Sequence, residues 1–135
     1  MVTARSLVAG EASGPLLRLT HPISFWGGVD PLTGTIADPR HPQYGTSIAG
    51  TVLLVPSAVG SSSSSAIMLE LLREGTAPAA ILMGQADAIL ALGVVVGREL
   101  GYTPIPVLEV EMSALEGVRD GTLLEVSDGN VEDAS

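Results

Sequence analysis

The side chains best placed to do chemistry in this sequence are the hydroxyls of Gly60-Ser61-Ser62-Ser63-Ser64-Ser65. Five serines in a row would ordinarily signal a flexible linker. Here the apolar run Thr51-Val-Leu-Leu-Val55 precedes them and the apolar stretch 66–73 follows, so the run joins two elements of one core. A glycine-led turn at the carboxyl end of a buried strand, opening onto a helix, gathers backbone N–H groups and the positive helix end around one point. That arrangement suits an anionic ligand. Serine also caps helices and lets a helix sit close to a sheet, which accounts for Ser63 to Ser65 but not for the Gly60-Ser61 start. The run therefore reads as an active-site turn.

Other chemistries lack their residues. The nucleophile-elbow pattern Gly-x-Ser-x-Gly is absent, and His21 and His41 each precede proline in a loop-rich region, where a structural or partner-facing role fits better. There is no Lys, which removes Schiff-base chemistry and the phosphate-loop lysine. There is no Cys, so this chain forms no disulfide and supplies no thiolate to zinc or an iron–sulfur cluster. Two histidines and scattered carboxylates give no zinc spacing, so no metal site is expected.

The elements that must position the turn follow from the pattern of apolar residues. Thr51 to Val55 is continuous and β-branched, as in a strand covered on both faces. Residues 66–73 carry Ile67, Met68, Leu71 and Leu72 at helical spacing, with Gly75 where a C-cap glycine belongs. A second buried strand is expected at 79–83, a second helix from Asp87 to Leu100, and another strand at 105–111. Residues 5–9 and 16–19 predict a first pair of strands joined by a turn at 10–14. Leu123 to Val126, Asp128-Gly129 and the return at Val131 predict a closing hairpin before an acidic tail from about residue 127. Residues 20–46 are rich in Gly and Pro and read as a long loop, a type that is often functional. The order points to a mixed α/β or α+β domain with a parallel portion at its centre.

Composition bounds the rest. The 135 residues make one domain, 46% apolar and only 16% charged, which is a folded profile. The low charged fraction assigns part of the apolar surface to a partner. Six arginines stand singly against a net charge of −9, so nothing neutralises a phosphate backbone and nucleic-acid binding is excluded. Between Glu109 and Asp133, eight carboxylates face one Arg, the mark of a solvated acidic face. No stretch reaches the roughly 18 to 20 uninterrupted apolar residues that span a bilayer, and residues 1–10 lack a leader pattern. No membrane association and a cytoplasmic location are the expectation.

Taken in order, Ser24-Phe25-Trp26-Gly27-Gly28-Val29-Asp30-Pro31-Leu32-Thr33-Gly34, His41-Pro42-Gln43-Tyr44-Gly45, Gly50 to Pro56 and Gly60-Ser61-Ser62 resemble the small subunit of the aconitase X family. Leu69-Glu70-Leu71 and Gly75 to Ala80 match it as well, so the resemblance runs from about Leu16 to Val131. It implies a swivelling β/β/α domain, a mixed sheet or small barrel with two main helices, that closes over a large subunit as a heterodimer. It also implies a hydro-lyase whose iron–sulfur cluster is held by cysteines of that large subunit and not by this chain. The family's catalytic serine follows the glycine of the turn, which is Ser61 here, with Gly60, Ser62 and Ser63 as substrate contacts. Its known substrates are cis-3-hydroxy-L-proline and mevalonate 5-phosphate. Relatives with Gly-Arg just before the turn differ from this chain, which has Ala58-Val59, and the missing arginine favours hydroxyproline or another small hydroxy acid over a phosphorylated one. Two other readings stay open: a non-catalytic swivelling binding or group-carrier module, and a stand-alone binder of small acids.

Overall fold

The computed structural model describes residues 2–59 and 63–135. Two central strands set the architecture. In β7 (Val52–Val55) and β9 (Ala80–Met83) every side chain is fully buried, so both faces of the sheet must be covered. Leu53, Val55, Ile81 and Met83 face a core shared with the helices, while Val52, Leu54, Ala80 and Leu82 face a second core under the remaining strands. This is the period of two made visible.

In chain order the elements are β1 (Val2–Thr3), β2 (Arg5–Val8), β3 (Glu11–Arg18), β4 (Ile23–Ser24), the single turn α1 (Phe25–Gly28), β5 (Val29–Asp30) and β6 (Thr35–Ile36). Then come β7, β8 (Ala58–Val59), α2 (Ser63–Glu74), β9, α3 (Ala88–Glu99), β10 (Val107–Glu109), a 3-10 turn at Met112–Leu115, β11 (Leu123–Ser127) and β12 (Asn130–Asp133). The main sheet has the order β1-β12-β11-β3-β7-β9-β10-β2. Its centre, β3-β7-β9-β10, is parallel, and the flanking pairs are antiparallel. Its two outermost strands, β1 and β2, are separated in the chain by Ala4 alone. The sheet therefore curls until one bent strand closes it, which hides the edges that an open sheet would expose.

Both main helices sit where the apolar spacing puts them. Helix α2 buries Ser64, Met68 and Leu71, and α3 buries Leu90, Ala91, Gly93, Val94 and Gly97. Each ends in a Schellman motif: Thr76 N–H donates to Leu71 O and Gly75 N–H to Leu72 O, and Tyr102 and Gly101 repeat the pattern on Gly97 and Arg98. The closing hairpin pairs Ser127 with Asn130 across Asp128 (φ 38°) and Gly129 (φ 84°), a two-residue turn with both φ positive. Within the acidic stretch from residue 127, Asn130–Asp133 is a strand paired with β11 and, at Asn130 and Val131, with β1; Val131 is buried and the other three residues are exposed.

One expectation fails. Residues 10–14 are not a turn, and β2 and β3 do not pair with each other; β2 pairs with β10, while β3 pairs with β11 and then β7. Strand β3 begins at Glu11 and runs through Gly14 and Pro15, whose turn-like composition has another cause. A Cβ on Gly14 would lie 2.6 Å from Gly50 O, so the glycine admits a neighbouring backbone and does not bend the chain.

Gly14→Ala is expected to cost about 1–3 kcal/mol by overpacking against that carbonyl. Urea unfolding should show a lower midpoint with an unchanged slope; an unchanged midpoint would mean the two backbones have room to part.

Candidate active site

The parallel strands all end on the same side of the sheet, and both helices start there. Strand β7 leads through Pro56 and Ser57 to β8, and β9 leads through residues 84–87 to α3. These two exits are tied together, since Gly84 N–H donates to Val55 O and Gln85 N–H to Pro56 O. Crevices at the carboxyl ends of parallel strands are the usual ligand sites of α/β proteins.

Gly60, Ser61 and Ser62 lie outside the described residues; the elements on either side of them do not. Strand β8 pairs in parallel with β4, Ile23 against Ala58 and Ser24 against Val59. Helix α2 then begins at Ser63, a half-buried residue, followed by Ser64 and Ser65 in its first turn. The last three serines of the run are thus helical, and the helix is three residues longer at its start than apolar spacing alone predicts. Ser64 faces inward, 1% exposed, and its hydroxyl has no hydrogen-bond partner.

The two helix starts differ in charge. Asp87 caps α3, its Oδ1 accepting from the N–H groups of Ile89 (2.9 Å) and Leu90 (3.2 Å). Helix α2 carries no acidic residue in its first turn, so its positive end favours an anion.

Strand β4 continues into Phe25 and Trp26, so the β4–β8 pairing sets the Ser24-Phe25-Trp26-Gly27-Gly28 motif next to β8, the strand that precedes the serine run in the sequence. Phe25 is fully buried as an anchor, whereas Trp26 is 62% exposed. Ser24 Oγ donates to Trp26 O at 3.0 Å and holds the turn between them. Sequence reasoning on chemical groups passes over Trp26; its signal was being the lone Trp of a chain with 3% aromatics, next to two glycines.

The two histidines differ in setting: His21 is exposed, with its ring Nδ1 2.8 Å from Thr20 Oγ1. His41 is buried, with Nδ1 accepting from Gln43 N–H at 3.1 Å and Nε2 lying 3.4 Å from His21 O. Gln43 in turn bridges two strands of chain, donating to Arg18 O and accepting from Thr20 N–H. The Gly- and Pro-rich stretch is therefore an ordered loop carrying β4, α1, β5 and β6. Among the described residues no group of three or more His, Asp or Glu side chains is placed to hold a metal ion.

The family model described as the aconitase X swivel domain matches residues 1–132. The chain belongs to this family. Its fold superposes on the crystal structure of Thermococcus kodakaraensis aconitase X in its holo form with a TM-score of 0.86 and 32% identity, covering 99% of this chain and 98% of the other. It is 45% identical over 107 residues to a cis-3-hydroxy-L-proline dehydratase of Pseudomonas aeruginosa, covering 79% of this chain and 18% of that protein. It is 44% identical over 94 residues to the phosphomevalonate dehydratase small subunit of Methanothermobacter thermautotrophicus, covering 70% and 72%. The swivel domain described here spans about a fifth of the length of the cis-3-hydroxy-L-proline dehydratases it matches. The two named activities are matched at nearly equal identity, so relatedness alone does not choose between them.

In this swivel domain the connection from β9 to α3 is held down by Glu109 at the end of β10. Its Oε2 accepts from Ala86 N–H at 2.9 Å and its Oε1 from Arg5 Nε at 3.0 Å. The Ala86 N–H first, and Arg5 second, hold its carboxyl below the ordinary glutamate range. Because the folded value is depressed, this contribution is complete at neutral pH and is lost as pH falls through the folded value. Glu109→Gln should lower thermal stability at neutral pH, and the gap from the parent should close in acid. A gap that stays constant with pH would show that the ionised carboxylate is not what secures the connection.

Proposed function

We propose that this chain is the small subunit of a dehydratase that removes water from a small hydroxy acid, with cis-3-hydroxy-L-proline as the substrate. The observation that carries the reading is that β8 and the first turn of α2, which flank Gly60-Ser61-Ser62 in the sequence, lie at the carboxyl ends of parallel strands, in a chain of the aconitase X swivel family. Ser61 is the proton acceptor, and Gly60, Ser62 and Ser63 contact the substrate. The positive start of α2 favours a carboxylate.

The reaction breaks a C–H bond next to the carboxylate and the C–O bond of the neighbouring hydroxyl, forms a C=C bond and releases water. Serine is a poor base in water, so Ser61 can take the carbon-bound proton only in a closed, dry site where oriented N–H groups stabilise its alkoxide. Closure of a mobile domain over a partner provides such dryness. An iron–sulfur cluster does not fit the residues of this chain, which has no cysteine and, among its described residues, no metal-binding group. That cofactor belongs to the proposed large subunit.

Uncharged Ala58-Val59 before the turn favours hydroxyproline over mevalonate 5-phosphate, because a phosphate dianion in a binding site ordinarily recruits Arg or Lys. With the large subunit supplied, Ser61→Ala is expected to lower kcat at least about a hundredfold while the subunits still assemble. The check is steady-state dehydration of cis-3-hydroxy-L-proline and of mevalonate 5-phosphate in parallel. Full activity in the variant would remove Ser61 from the chemistry, and turnover of the phosphorylated substrate alone would overturn the substrate assignment.

A further inference from the structure

Helix α3 breaks the rule that a surface helix is apolar on one face only. From Ala88 to Gly97 it contains no charged or hydrogen-bonding side chain, reading Ala-Ile-Leu-Ala-Leu-Gly-Val-Val-Val-Gly. One side packs on the sheet and on α2 through Leu90, Ala91, Gly93 and Val94. The opposite side presents Ile89, Leu92, Val96 and Leu100 to solvent, with Leu92 54% and Leu100 58% exposed. Their spacing of three and four residues puts them in one stripe. A helix apolar all round is one that is buried.

The stripe borders a groove of about 240 Å³ between α2 and α3, lined by Ser65, Ala66, Leu69, Leu92, Gly93 and Val96 and almost wholly apolar. Gly93 makes the groove possible by close approach: a Cβ there would lie 2.6 Å from Ser65 O, so the helices touch at their backbones and leave a furrow above. The groove opens at the first turn of α2, at the end of the serine run. A body seated in it therefore reaches the rim of the candidate site.

We propose that the α3 stripe and the α2–α3 groove are the docking surface for the large subunit, a proposal that rests on the function argued above. Two facts select this occupant over a second copy of the chain. The groove reaches Ser65 in the first turn of α2, and α2 directly follows in the chain the residues proposed to need completion by the large subunit. In the longer dehydratases that this chain matches, the corresponding segment is about a fifth of a single polypeptide, and the rest of that polypeptide is available to cover it. The contact is uncharged on this side, so it calls for an apolar surface on the partner and tolerates salt.

The test uses the full chain and the cognate large subunit. Leu92→Asp and Val96→Asp change exposed side chains, so the isolated variants should keep the parent's circular dichroism and melting temperature. Titration of each with the large subunit should show affinity reduced about tenfold or more, with activity restored at saturating concentration. Unchanged affinity in both variants, while the parent binds, overturns the docking surface and leaves the dehydratase reading intact. A parent chain that never binds the large subunit overturns that reading instead. A parent that sediments as a dimer, and becomes monomeric in the variants, shows that the stripe pairs with its own copy and also overturns the proposal.

Discussion

Complete burial of β7 and β9 on both faces is the constraint from which the rest of the structure follows. Eight consecutive-in-space side chains, Val52 to Val55 and Ala80 to Met83, leave no solvent-facing side to these strands. A strand apolar on both faces must be covered twice. Helices α2 and α3 cover one face, and the curled remainder of the sheet covers the other. Because β7, β9 and β10 run parallel, each connection must return to the starting side, and a helix is the economical way to do so. Both helices therefore begin at the carboxyl ends of the strands. Ser63–Ser65, the first turn of α2, lie at that end for the same reason.

That chain of necessity explains what could be read directly from the residues. The buried strands, both helices and the Asp128-Gly129 hairpin were legible because each is fixed by its own local pattern: a continuous apolar run, a 3.6-residue period, a pair of positive-φ turn residues. The first hairpin was not, because Gly10 to Gly14 has the composition of a turn while its role is set by tertiary contact. Gly14 exists to admit Gly50 O, and β2 is recruited to the far edge of the sheet by β10. Closure of the sheet through Ala4 is equally non-local. The short elements β4, α1, β5 and β6 in the Gly- and Pro-rich stretch have no periodicity to announce them, and are held by side-chain bridges such as Gln43 to Arg18 and Thr20.

At the candidate site, capping logic puts the late serines just before a helix that starts at Ala66, whereas Ser63–Ser65 are its first helical residues. Gly60, Ser61 and Ser62 take their assignment from the family motif and from the elements that flank them. The exposure of Trp26 is not legible from acids, bases and nucleophiles, because it follows from the pairing of β4 with β8 and the turn that Ser24 holds. The low charged fraction of the whole chain points to apolar surface left for a partner, and α3 exposes an apolar stripe of Ile89, Leu92, Val96 and Leu100.

Under the proposed function, labour is divided: this chain supplies the serine hydroxyls, and a second polypeptide supplies the cluster and the rest of the pocket. The direct measurement is the rate of dehydration of cis-3-hydroxy-L-proline as a fixed amount of purified large subunit is titrated with this chain. The proposed function predicts no turnover by either component alone and a rise that saturates at an equimolar ratio. Turnover by the large subunit alone, or no turnover at any ratio with assembly intact, would contradict it.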